Sequence, residues 1–310
     1  MRAMLIVNPH ATSTTTRRRD LLSHALAGEV TLRVEHTHGR GHAAELAAKA
    51  TEDGVDLVVV HGGDGTVNEV ANGLLAGGVR PDLPMLAIVP GGSTNVFARA
   101  VGVDPDPTAA TEQILEALAE RREPRTVSVG RAGRRYFTFN AGVGIDADVV
   151  RRVEEHRAAG RTISNALHLQ HALGAYRGRD KGADGLIVTL PGDDPIPGCQ
   201  VAFISNVDPW TYLGGRPIRT NPDTSPDGGL GVFVSRSLRL PTVLRAVGQL
   251  LRSQPGRGPH GRRLIRVDDV AWVRVASPAG PVGVQADGDY LGTFDEVEFV
   301  SVPAALRVLV

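Results

Sequence analysis

The segment Asp56-Leu57-Val58-Val59-Val60-His61-Gly62-Gly63-Asp64-Gly65 constrains the fold of this chain more than any other. A short, continuous apolar run belongs to a strand buried on both faces, as in a parallel sheet. Beyond the glycine-rich turn, Val67, Val70, Ala71 and Leu74 fall at i, i+3, i+4 and i+7, the spacing of one helix face. Thr66 with Glu69 makes a T-x-x-E pattern, which predicts a capping box at the start of that helix.

The same alternation runs through the first 125 residues. Positions 3–7, 30–36, 56–60 and 85–89 predict strands, and 17–27, 41–51 and 66–75 predict helices. This is the pattern of an open, mostly parallel α/β sheet, which binds ligands beyond the carboxyl ends of its strands. After Pro124 the texture changes. Strand-like runs at 125–130, 135–140, 186–190, 200–206, 230–234, 263–267, 271–276, 282–286 and 296–302 are separated by Gly, Pro and Asp turns. Helical patterns interrupt them at 147–158, 162–177 and 241–252, and 253–261 is a Pro/Gly-rich loop. The second part is expected to be an antiparallel β-sandwich or two packed sheets. The expected division is 1–125, 126–295, and a segment 296–310 returning to the first domain.

A length of 310 residues accommodates two domains, and 42% hydrophobic with 22% charged residues is globular rather than disordered. Zero net charge removes any broad electrostatic case for nucleic acid. The single cysteine, Cys199, makes no internal disulfide, and its strand-like surroundings predict a buried, inert thiol. The apolar run before Asn8-Pro9 is too short for a signal peptide, and no stretch approaches a membrane span. A cytoplasmic protein with peripheral membrane contact is expected.

Asp64 is the candidate that needs explaining. Glycines let a phosphate approach backbone, and the first N–H groups of a helix donate to anions. A carboxylate there repels phosphate unless a cation intervenes, so Asp64 either serves Mg²⁺ carried by a nucleotide or makes an Asx-turn in a tight loop. A second loop bears on the choice. The strand at 85–89 runs into Pro90-Gly91-Gly92-Ser93-Thr94-Asn95 and another helix, so two such loops at one sheet edge would form a phosphate-sized crevice. Neither a Walker A loop nor a dinucleotide G-x-G-x-x-G is present.

The pair "GGDGTVNEVANGL" and "PGGSTNVFARAVG" resembles the diacylglycerol kinase and sphingosine kinase superfamily of lipid kinases. "IVNPHAT", "THGRGHAAELA", "YFTFNAGVGIDADVV", "ISNVDPWTYLGGRP", "PDGGLGVFV" and "VQADGDYLG" extend the likeness over essentially the whole chain. The resemblance implies ATP-dependent transfer of a γ-phosphoryl group to a lipid hydroxyl, in a cleft between an α/β nucleotide domain and a β-rich lipid domain. It implies that Asn8, Pro9, His10, Ala11, Thr12 and Thr37 meet the nucleotide, and that Gly62, Gly63, Asp64, Gly65, Thr66, Ser93, Thr94 and Asn95 cradle its phosphates. Asp64 would act through Mg²⁺, Asp227 would hold a structural Mg²⁺, and Asp287 and Asp289 would complete the catalytic set. Asp289 stands where the family has a glutamate base, one methylene longer; Val96 and Ser128 stand where bacterial members have aspartates. A soluble acceptor such as NAD, whose kinases share the G-G-D-G-T loop, is the alternative, as is a weakened nucleotide- or lipid-binding homologue.

Other candidates keep two readings. Asp146 and Asp148 cap a helix or face the cleft. His36, His38 and His42 lack metal-ligand company and read as solvated or nucleotide-facing, and His168 and His171 as surface residues. Trp210 and Tyr212 suit a membrane interface or acyl pocket, or pack over the sheet end. Arg151, Arg152, Arg157 and Arg161 meet anionic headgroups or form a solvated face with Glu154 and Glu155. An exposed sheet edge offers a homodimer contact.

Overall fold

The computed structural model describes residues 1–12, 16–144, 147–152 and 185–310. Asp146, Glu154, Glu155, Arg157, Arg161, His168, His171 and the helical pattern at 162–177 lie outside them. The chain forms two units, Met1–Val129 with Val302–Val310, and Gly130–Ser301.

The first unit contains β1 (Arg2–Val7), α1 (Thr16–Ala27), β2 (Thr31–His36), α2 (His42–Glu52), β3 (Leu57–Gly62), α3 (Asp64–Leu74), β4 (Met85–Pro90), α4 (Val96–Ala100) and α5 (Pro107–Ala119), and most of β5 (Arg125–Ala132). The strands run in the order β2-β1-β3-β4, all parallel. All six residues of β3 are buried, which is the physical meaning of its unbroken apolar run. Leu5, Val7, Leu57, Val59 and Ala87 meet Leu22, Leu26 and Ile114 in one core. Helix α5 escapes the sequence reading above, yet its signal is local: Asp106 caps it, accepting from the N–H groups of Thr108 and Ala109, and Pro107 opens it. The chain's end joins this unit. Val308 pairs in parallel with Leu86, Leu309 N–H donates to Leu86 O, and Leu306, Val308 and Leu309 are buried.

The second unit contains β6 (Arg135–Phe137), β7 (Asn140–Gly144), β8 (Leu186–Thr189), β9 (Ile196–Cys199), β10 (Val201–Ser205), β11 (Thr211–Leu213), β12 (Arg216–Ile218), β13 (Leu230–Ser235), α6 (Leu240–Leu250), β14 (Leu264–Val270), β15 (Trp272–Ala276), β16 (Val282–Ala286), β17 (Asp289–Phe294) and the start of β18 (Glu296–Val308). One sheet has the order β14-β13-β10-β7-β16-β17, antiparallel throughout. A second antiparallel layer runs β18-β15-β8-β9. Val143, Ile204, Val232 and Val284 from the first share a core with Val188, Val275 and Phe299 from the second. Phe137 stands edge-on to Phe299 at 6.3 Å.

Two departures from the sequence reading are instructive. The single strand expected at 135–140 is broken into β6 and β7, because the N–H groups of Thr138, Phe139 and Asn140 all turn toward the Asp287 carboxylate. The strand also runs on past its expected end at Asn140, for Asn140–Gly144 is a fully buried strand between β10 and β16.

Candidate active site

Strands β1, β3 and β4 are neighbours in parallel register, with Val7 opposite His61 and Gly62 opposite Pro90, so the loops that follow them emerge at one sheet edge. The two glycine loops touch. A Cβ on Gly91 would come within 2.8 Å of Gly62 Cα, and one on Gly92 within 2.9 Å of Gly63 Cα. One on Gly62 would meet Thr66 Cβ at 2.7 Å. Gly91 and Gly92 are therefore required by loop-on-loop packing and Gly62 by the Thr66 side chain, not by ligand space as the sequence suggests, while a Cβ on Gly63 would sit tightly at 3.2 Å from Gly92 Cα. Gly65 differs. It lies in the first turn of α3, a Cβ there would meet nothing within 4 Å, and its backbone needs no positive φ. Open space over unpaired helix-start N–H groups is what an anion requires.

Asp64 is the clasp between the loops. Its Oδ2 accepts from Thr94 Oγ1 at 2.7 Å and its Oδ1 from Val96 N–H at 2.7 Å. Burial pushes its carboxyl above the usual aspartate range, against the lowering effect of those hydrogen bonds. Asn95 serves the same loop rather than projecting from it. Held at φ 48°, it accepts from Gly92 N–H at 3.0 Å and donates to Gly92 O at 2.8 Å. Asn8 reaches across to α3, its Nδ2 donating to Thr66 Oγ1 at 3.0 Å while its Oδ1 accepts from His10 N–H. Pro9, His10, Thr12 and Ser93 are exposed around this cluster, Ala11 is half-buried, and Thr37 is buried where its N–H donates to Val7 O. His61 lies beneath, its Nδ1 within 3.1 Å of Val89 O, and burial lowers its imidazole below the usual histidine range.

The predicted capping box does not form. Helix α3 starts at Asp64 with Gly63 as its cap, and Thr66 already belongs to the first turn. Glu69 turns instead to the start of α2, accepting from Gly41 N–H at 2.9 Å and Ala43 N–H at 3.2 Å. Its carboxylate satisfies orphan donors of a different helix, a pairing that local spacing cannot announce.

The remaining candidates belong to the second unit. Asp287 and Gly288 form the two-residue turn between β16 and β17, with φ of 48° and 80°, as an Asp-Gly hairpin demands. The Asp287 carboxylate is buried and accepts from Thr138 N–H at 2.5 Å, Thr138 Oγ1 at 2.7 Å, Phe139 N–H at 3.0 Å and Asn140 N–H at 2.9 Å. Burial outweighs these donors and pushes its carboxyl up to about 6. Four donors from one turn make Asp287 the pin between that turn and the β16–β17 hairpin. Asp289 opens β17, half-exposed, and pairs with Arg135 at 2.8 Å, a partner 154 residues away that no local pattern names. Trp210 packs edge-on against Phe203 at 5.0 Å and its carbonyl accepts from Asn140 Nδ2, the sheet-capping reading. Cys199 is buried, its thiol pushed up by desolvation.

Among the described residues no preformed magnesium site is gathered. Asp227 is exposed and its Oδ2 accepts from Ser225 Oγ at 3.2 Å, while both Asp64 oxygens are engaged by the second loop. Among the described residues no group of three or more His, Cys, Asp or Glu is gathered that could hold a metal ion. The assignments of Asp64 and Asp227 to Mg²⁺ therefore gain no support from the described residues around them. Among the described residues, too, no helix is long and apolar enough to cross a membrane.

Residues 2–130 match the family model "Diacylglycerol kinase catalytic domain". The match covers less than half of the chain. A relative in Chromohalobacter salexigens named "Probable lipid kinase YegS-like" is 40% identical over 120 residues, 38% of this chain and 36% of its own. The diacylglycerol kinase of Bacillus subtilis is 36% identical over 105 residues, 34% and 32% of the two chains. The matched part thus spans about a third of the length of these curated relatives, and the family-model match over residues 2–130 takes in both glycine loops. The whole fold is also shared. The crystal structure of a diacylglycerol kinase from Bacillus anthracis superposes with a TM-score of 0.73 at 21% identity, covering 99% of this chain and 96% of that one. Yeast NADH kinase complexed with NADH matches more distantly, with a TM-score of 0.51 at 12% identity over 99% and 82% of the chains.

Proposed function

We propose that this protein is an ATP-dependent lipid kinase that transfers the γ-phosphoryl group to a hydroxyl of a diacylglycerol- or sphingosine-like acceptor. The observation that carries the reading is the clasped pair of glycine loops: Asp64 holds the Thr94 hydroxyl and the Val96 N–H, and of the five loop glycines Gly65, at the start of α3, is the one with open space over it. The chemistry of phosphoryl transfer is mostly positioning and charge stabilisation, so a rigid cradle of N–H donors is the contribution expected of the protein. In this reading the α3 N–H groups bind the phosphates and Asn8 and Thr66 fix the adjoining loop. Asp64 acts by positioning the second loop. Asp289 takes the proton of the acceptor hydroxyl as its oxygen bonds to the γ-phosphorus and ADP leaves, with Arg135 orienting the carboxylate.

The test offers radiolabelled ATP to the protein with the host's total lipid extract or with NAD. Label in the organic phase, identified by mass spectrometry as a phosphorylated lipid, and a fall on the order of 100-fold in Asp289→Asn support the reading. Label on NAD instead favours the soluble-acceptor kinase, for which the distant likeness to the NADH kinase fold speaks. ATP binding without transfer to either acceptor overturns the enzyme reading.

A further inference from the structure

Helix α6 is amphipathic in the wrong sense for a helix of a water-soluble unit. None of its eleven residues is buried. Leu240, Leu244 and Val247 recur at i, i+4 and i+7, and they are 56%, 62% and 44% exposed, three of the largest apolar exposures among the described residues. Leu251, one turn further, continues the stripe, half-exposed. The opposite face is the one engaged with the fold: Gln249 Oε1 accepts from His260 N–H, and beyond the helix end Ser253 Oγ accepts from Arg219 N–H. A helix whose polar side meets the protein and whose leucines face outward leaves apolar surface for something else to cover.

The charge of the adjoining chain says what covers it. The chain as a whole is balanced, 34 basic against 34 acidic residues, yet residues 228–267 contain eight arginines and no aspartate or glutamate. Arg239 and Arg252 flank the helix, Arg245 lies on it, and Arg236, Arg257, Arg262 and Arg263 lie in the chain on either side, all exposed, while Arg266 is engaged with Asp223 and Asp268. An apolar stripe whose charged neighbours along the chain are all arginines is the composition of helices that lie in the interface of an anionic bilayer, with the leucines among the acyl chains and the guanidinium groups at headgroup level. We propose that α6 is the membrane-docking element of this protein and that its partner is a bilayer carrying anionic phospholipid. A second protein surface of matching chemistry would have to be both apolar and acidic; a bilayer of this kind supplies both at once. The proposal gives the lipid-acceptor reading a place to meet its substrate, but vesicle binding is measured without nucleotide, so either can fail alone.

The experiment is flotation of the full chain with phosphatidylcholine vesicles, with and without about 30% phosphatidylglycerol, at about 0.15 M salt. Wild type is expected to float with the anionic vesicles and to remain largely free with the zwitterionic ones. The triple variant Leu240→Ser, Leu244→Ser, Val247→Ser should lose at least about tenfold in partition. Arg239→Gln, Arg245→Gln, Arg252→Gln should lose most of the preference for anionic lipid, each arginine contributing roughly fivefold. Because no residue of α6 is buried, both variants should unfold at the wild-type temperature, which separates loss of docking from loss of fold. No flotation of wild type overturns the proposal, and so does flotation undiminished by the serine substitutions. A wild-type dimer in solution that the serine variant converts to monomer also overturns it, by making a second copy the occupant of the stripe.

Discussion

The glycines of the two loops divide into those the fold needs and the one it does not. A Cβ on Gly62, Gly91 or Gly92 would drive into the opposing backbone or Thr66, whereas Gly65 has open space and an ordinary helical position. Gly65→Ala should leave thermal stability unchanged or slightly raised, by up to about 1 kcal/mol from helix propensity. It should weaken ATP binding measured by titration calorimetry. Loss of both stability and binding would instead place Gly65 with its structural neighbours. Asp287 makes a prediction of another kind. Its folded carboxyl titrates about two units above its ordinary value of 3.8, so between about pH 4 and 6 the folded chain binds more protons than the unfolded one. Its contribution to stability is therefore complete below about pH 4 and is lost as pH rises through about 6, on the order of 3 kcal/mol at most. Denaturant unfolding from pH 4 to 7 should show this decline in wild type and lack it in Asp287→Asn; parallel profiles would refute the assignment.

At the scale of elements, the tightest packing in the first unit is between α2 and α3. A Cβ on Gly73 would overlap Ala44 O and stand 2.8 Å from Ala47 Cβ, so the two helices approach at a glycine, and Glu69 ties the start of α2 to the same helix. Gly73→Ala must push backbone against backbone and should cost about 1–3 kcal/mol or more by chemical denaturation, despite the better helix propensity of alanine. A neutral result would mean that α2 and α3 can separate without loss. The elements also show where local reading stops. The continuous apolar runs of β1, β3 and β4 and the period-3.6 patterns of α2 and α3 were legible because a strand buried on both faces and a one-sided helix each leave their own mark in the sequence. The break between β6 and β7 was not, since its cause, Asp287, lies 147 to 149 residues away along the chain.

At the scale of the whole molecule, the first unit is discontinuous in sequence. Residues 302–310 return to it, with Val308 opposite Leu86 and the Arg122 guanidinium donating to Val310 O at 3.0 Å. A chain ending at Ser301 should thus lose the buried Leu306, Val308 and Leu309 and expose the edge of β4. Its first unit should become sensitive to limited proteolysis and melt several degrees lower than in the full chain. Equal protease resistance would show that the returning segment is dispensable.

By itself the sequence determined the α/β half, the antiparallel half and the position of the glycine loops, because burial patterns and turn residues are properties of neighbouring positions. Only the tertiary structure decided which partner each polar side chain takes. Asp64 clasps a second loop, Glu69 caps another helix, Asp287 pins a turn and Asp289 meets Arg135, each across at least 26 residues of chain. A carboxylate in a sequence fixes a charge and a reach, but it takes its place according to the unpaired donors that the folded backbone leaves nearby, and those donors exist only once the elements have packed.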